Sequence, residues 1–91
     1  MENGKYIVID SGSFEDVIMF SNTISHDAFL YSFNKDNIVS AGFFAVGAEP
    51  RDGDKEDISV DVFGKSVTLK LEVRKDKDER LIKRVLRKEY W

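Results

Sequence analysis

Apolar positions along the chain fall into short runs with two different periods, separated by polar clusters. Tyr6-Ile7-Val8-Ile9 is apolar at every position, the mark of a strand buried on both faces. Ser11-Gly12-Ser13 supplies turn chemistry, and Val17-Ile18-Met19-Phe20 completes a hairpin. Ser25 stands where a helix N-cap would, with Asp27 in the first turn and Ile24 placed to staple onto Phe29. Phe29, Leu30 and Phe33 then fall at helical spacing, so a short helix is expected to about Phe33, stopped by the polar run Asn34-Lys35-Asp36-Asn37. Ile38 to Val46 reads as a third, central strand. Its Ser40-Ala41-Gly42 trio lacks bulk, which lets another backbone or a ligand come close.

Gly47 to Asp57 holds the only proline and charges on either side of Gly53, and reads as a wide exposed loop. Ile58, Val60 and Val62 alternate with polar neighbours, as do Val67, Leu69, Leu71 and Val73, which predicts two strands joined at Gly64-Lys65. At the C-terminal end, Asp76 and Glu79 have capping-box-like spacing and Leu81, Ile82, Val85 and Leu86 form one apolar stripe, so a second helix closes the chain. The expected order is ββαβββα. That is an α+β fold in a single domain spanning residues 1–91, an antiparallel sheet of about five strands with two helices packed on one face.

Ninety-one residues of which 42% are hydrophobic can build one modest core. The chain has no cysteine, so a disulfide framework and a thiolate metal site are both excluded. No apolar run approaches the roughly 20 residues that span a bilayer, and the first ten residues lack the pattern of an export signal; a cytoplasmic protein without a membrane partner is expected. A chain this short buries about 60 to 65% of its unfolded surface, and without a covalent staple extra stability comes most readily from a second copy. A homo-oligomer is therefore expected, joined through a sheet edge or through the last helix with Tyr90 and Trp91.

The net charge of −3 conceals two opposed halves. Residues 1–64 carry four basic and twelve acidic side chains, and residues 65–91 carry ten basic and five acidic ones. The halves can attract each other within one fold, or the second can show a cationic surface to an anionic partner.

The chain is poor in catalytic groupings. Phe63-Gly64-Lys65-Ser66 ends like a phosphate-binding P-loop, but Ser59 stands where the first glycine is required and a strand pattern follows instead of a helix; Lys65 and Ser66 remain candidates for a phosphate contact outside any P-loop. His26 is the only histidine, which excludes a two-imidazole metal site and makes it a weak catalytic candidate. Its place at a helix start would suit an anion. The carboxylates Asp52, Asp54, Glu56 and Asp57 sit in a polar stretch without calcium-loop spacing. Arg80, Arg84 and Arg87 share a face of the last helix but have no aromatics interleaved on it, which argues against direct nucleic-acid contact.

Ser40-Ala41-Gly42-Phe43, Phe63-Gly64-Lys65-Ser66-Val67-Thr68-Leu69 and the charged, Leu81-Ile82-containing last helix together resemble a group of short uncharacterised phage and prophage proteins. The resemblance runs from Tyr6-Ile7-Val8 to Leu81-Ile82, and the Glu49 to Asp57 and Lys70 to Lys77 stretches are longer than usual for the group. It implies an accessory or anti-defence factor in the host cytoplasm that acts by binding.

These readings converge on a non-enzymatic binding protein, without catalytic, metal or cofactor residues, that sequesters a small anionic ligand such as a signalling nucleotide or blocks a host protein. The candidate ligand site combines Lys65, Ser66 and Arg74 for the anion, Gly42 for close approach, Phe43 for stacking, and His26. Two alternatives stand beside it. One is an acidic nucleic-acid mimic, built on Asp52, Asp54, Glu56 and Asp57, that inhibits a host DNA-binding protein. The other is a small phosphodiester hydrolase using His26 with Asp27 or Asp10.

Overall fold

A computed structural model describes residues 3–31, 34–50 and 56–90. Strands β1 (Asn3–Asp10), β2 (Glu15–Phe20), β3 (Ile38–Pro50) and β4 (Glu56–Phe63) form one antiparallel sheet in the order β2-β1-β3-β4. A two-stranded ribbon of β5 (Lys65–Ser66) and β6 (Leu71–Glu72) follows, and then a single α-helix, α1 (Lys75–Tyr90). This is the expected α+β class and antiparallel pairing, with four strands plus a ribbon in place of five strands, and one α-helix in place of two.

The pleat of β1 sorts its apolar run onto two faces. Tyr6 and Val8 join Phe44 and Val62 against Leu81, Ile82 and Leu86 of α1. Ile7 and Ile9 join Phe20, Ile38 and Ala41 on the other face, under Leu69 from the ribbon. β1 and β3 are internal strands covered on both faces, and that coverage is why their sequences are apolar at both parities; β2 and β4 form the edges. None of the helices is long and apolar enough to cross a membrane among the described residues.

Five expectations are corrected. The segment His26–Tyr31 is a 3-10 helix instead of an α-helix. Six residues return too few hydrogen bonds to offset α-helix nucleation, and Ser25 spends its hydroxyl on Asp27 Oδ1 (2.6 Å) instead of capping backbone N–H groups. The Phe29 staple falls on a side chain outside those described. Packing is also not confined to one face, because His26 lies against Phe20 and Phe43 on the side of the sheet away from α1. The wide loop from Gly47 is shorter than expected, since β3 runs on to Pro50 and β4 starts at Glu56, paired through Ala48↔Ile58 and Pro50↔Glu56; residues 51–55 lie outside the description.

The alternating run from Val67 to Val73 is mostly turn. The Ser66 hydroxyl accepts the Leu69 N–H (3.2 Å), Lys70 takes a left-handed conformation (φ 56°), and Val67 is left 75% exposed while Leu69 is buried. No helix follows Gly64-Lys65-Ser66, and Gly64 turns the chain at φ 75° with the Phe43 ring 2.8 Å from where a Cβ would stand. The capping residues of α1 also differ from Asp76 and Glu79. Asp78 is the carboxylate that reaches back to the Arg74 N–H (2.9 Å), and Glu79 instead accepts the Val62 N–H of β4 (3.0 Å).

Candidate functional site

The most developed polar grouping is a clamp at the start of α1. Asp78, fully buried, accepts hydrogen bonds from the Tyr6 hydroxyl (2.6 Å), the Arg74 backbone N–H (2.9 Å) and Arg74 Nε (3.0 Å). The outer nitrogens of the same guanidinium meet both Glu15 oxygens at 3.0 and 3.1 Å, and Lys77 stands 3.6 Å from Glu15. Burial first, and the bond to Asp78 second, push the Tyr6 hydroxyl well above its ordinary range. Arg74 holds the Glu15 carboxyl below its ordinary value. Two acids face two bases here, so the clamp is close to neutral. Every nitrogen of Arg74 that could grip an anion has a protein partner.

The remaining candidate ligand residues divide into two groups. Gly42, Phe43 and His26 are together: His26 Nε2 lies 2.8 Å from the Gly42 carbonyl, and because a carbonyl only accepts, the ring is the neutral or charged Nε2–H form that donates. Burial lowers the His26 pKa from its usual value, which favours the neutral ring. Phe20 and Phe43 approach its ring edge-on at 5.7 and 5.5 Å, Phe43 stacks on the half-exposed Phe63, and Lys5 Nζ lies 5.8 Å from the Phe43 centroid. The room beside Gly42 is taken by the protein itself, with Val73 Cγ1 in the position of a Cβ and the Phe63 carbonyl 2.9 Å from it. Ser66 is buried and bonded within its own turn, whereas Lys65 is exposed beside Lys70 and Glu72 on the ribbon. Arg74 stands apart in the clamp.

The groups of the hydrolase alternative have structural partners as well. Asp27 accepts the Ser25 hydroxyl, and Asp10 accepts the Gly12 N–H at 2.8 Å within the β1–β2 turn. No group of three or more metal-ligating side chains occurs among the described residues. The mimic alternative rests on Asp52, Asp54, Glu56 and Asp57, whose side chains lie outside the description.

The arrangement that the sequence did not assemble is on the outside of α1. Arg80, Lys83, Arg84 and Arg87 line a groove of about 480 Å³ that has no carboxylate on its walls among the described residues. Arg84 makes no ion pair among the described residues, and Arg80 Nε donates to the Asp76 carbonyl (3.3 Å). A second groove of about 490 Å³ shares Arg80 and Arg84 and is walled on its far side by Phe14, a 60% exposed ring on the β1–β2 turn. Periodicity shows the three arginines on one helical face; the juxtaposition with Phe14, more than sixty residues earlier, comes from tertiary packing alone. No protein-family model matches the chain, and comparison with curated proteins and with solved structures finds no match.

Proposed function

We propose that the protein is a non-catalytic binding module for an anionic partner, which it engages along the outer face of α1. The observation that carries this reading is the groove walled by Arg80, Lys83, Arg84 and Arg87. Arg80 and Arg84 make no ion pair among the described residues, so an incoming anion meets attraction there without having to displace an acid. Guanidinium groups offer paired donors to phosphate or carboxylate, which favours a multiply charged ligand over a single point charge. Arg74, by contrast, is already saturated, which moves the anion site from the start of α1 to its later turns.

This keeps the binding class that the sequence suggests and relocates its surface. A phage-type accessory role, with a host molecule as partner, is compatible with a site of this kind. Calorimetry with inorganic polyphosphate tests the reading. Binding is expected for the parent protein and for His26→Ala, and Arg84→Glu is expected to weaken it by about tenfold or more at low salt, because one attraction becomes one repulsion. Equal affinity of the parent and Arg84→Glu would refute it.

A further inference from the structure

The class of partner follows from what stands beside the cationic groove. Resting on the anion-binding reading above, we propose that the surface formed by Arg80, Arg84 and Phe14 is a site for single-stranded nucleic acid, with phosphates on the arginines and a base stacked on Phe14.

Three observations select this partner. The first is the aromatic ring. The sequence of α1 contains no aromatic residue between its cations, which argues against nucleic acid, but the fold places Phe14 on the wall of the groove that Arg80 and Arg84 share. An exposed ring beside guanidinium groups is the combination that binds unpaired bases irrespective of their identity, because every base has a π-face.

The second is that the ring is held in place. Ser11 N–H and the Ser11 hydroxyl both donate to the Phe14 carbonyl at 3.0 and 2.9 Å, Gly12 takes φ 96°, and Gly12 N–H is bonded to Asp10. The turn is therefore fixed by its own hydrogen bonds and presents Phe14 outward, so little ordering is required on binding. The neighbouring Glu15 does not repel phosphate strongly, since Arg74 and Lys77 both face it.

The third is the composition of the face. The core of a protein–protein interface is depleted in charge and rich in apolar contact, whereas nucleic-acid interfaces are strongly positive and polar. Between Arg80 and Arg87 the exposed positions of α1 are all basic, and the apolar residues Leu81, Ile82 and Leu86 are turned into the core. An acidic protein would find charge there and almost nothing apolar beyond one ring. A duplex would offer phosphates but keep its bases stacked away from Phe14. The three arginines span seven residues of helix, roughly 10 Å, enough to follow a short stretch of backbone.

Fluorescence anisotropy of a labelled oligodeoxythymidine, measured over a salt series, tests the proposal, with inorganic polyphosphate, polyglutamate and a duplex of equal length as competitors. Two to three phosphate contacts predict a log–log salt slope of about −2. Phe14→Ala should weaken oligonucleotide binding by about tenfold with the slope unchanged and polyphosphate affinity unaltered. Arg84→Glu should make the slope shallower. Phe14 is exposed, so its removal leaves the fold intact, which circular dichroism verifies.

If oligonucleotide and polyphosphate bind alike and Phe14→Ala changes neither, the nucleic-acid assignment falls while the anion site stands. Preference for polyglutamate replaces the partner with an acidic protein and overturns the inference, and equal capture of the duplex overturns the single-strand assignment. Binding to none of the four polyanions removes this inference together with the reading it rests on.

Discussion

Replacing Asp78 with alanine takes away the acceptor for three hydrogen bonds at once: Tyr6 hydroxyl, Arg74 N–H and Arg74 Nε. The carboxylate is fully buried, and the Arg74 side chain is 27% exposed, so water can reach the guanidinium but not the Tyr6 hydroxyl. Loss of one member of a buried charged grouping costs about 3–5 kcal/mol, against a total stability of roughly 5–15 kcal/mol for a small domain. At least about a fifth of the stability should therefore disappear. Tyr6→Phe alone removes one charge-assisted bond and leaves Asp78 with both Arg74 donors, for a loss of about 1.5–3 kcal/mol.

The sharper expectation concerns the double variant. Once Asp78 is alanine, the Tyr6 hydroxyl is a buried donor without a partner, and its removal should become neutral or stabilising. Urea unfolding of the four proteins, followed by circular dichroism, gives the cycle. If Tyr6→Phe costs the same in both backgrounds, the clamp is not a coupled unit and the reasoning fails. The alkaline limb offers a check on the parent. Because burial and Asp78 raise the folded-state Tyr6 pKa above its ordinary 10.0, its contribution is fully present below that pH and is lost as pH rises beyond it.

Two further outcomes are expected elsewhere in the molecule. Gly42→Ala should destabilise by about 1–3 kcal/mol in thermal unfolding, because the new methyl meets Val73 and the Phe63 carbonyl, and the carbonyl belongs to a paired strand that cannot give way; an unchanged melting temperature would refute this. His26 has a folded-state pKa below its usual 6.5, chiefly through burial, so its contribution is present above pH 6.5 and lost as pH falls. Proton NMR of the ring should show that depressed value, and an ordinary titration near 6.5 would contradict the buried placement.

The strand pattern was legible where periodicity and burial coincide. Tyr6 to Ile9, Val17 to Phe20 and Ile58 to Val62 announce strands because packing on both faces gives unbroken apolar runs and packing on one face gives alternation. The run from Val67 to Val73 misled for a local reason. Its alternation is that of a strand, but the Ser66 hydroxyl binds the Leu69 N–H and the chain turns at Lys70, a competition between side chain and backbone that hydropathy does not register. His26 likewise reads only as a helix-start residue suited to an anion. Only the pairing of β1 with β3 brings the Gly42 carbonyl within reach of its ring.

The candidate site shows the same division between local and tertiary information. The opposed charge of the two halves admits intramolecular pairing or an outward cationic surface, and α1 uses each of these at a different end. Its early bases are answered from the acidic half or from the helix itself: Arg74 by Glu15 and Asp78, Lys75 by Asp61 (2.8 Å), and Lys77 by Glu15. The first turns need this compensation, because the positive end of the helix dipole makes cations there costly and carboxylates favourable. Beyond the first turns this penalty fades, so Arg84 stands without an acidic partner among those described, at little cost to the helix. The physics that closes the clamp around Arg74 therefore also leaves cations outward on the later turns of α1. Residues identical in type acquire opposite roles by their distance from the helix start, which no count of charges along the sequence reveals.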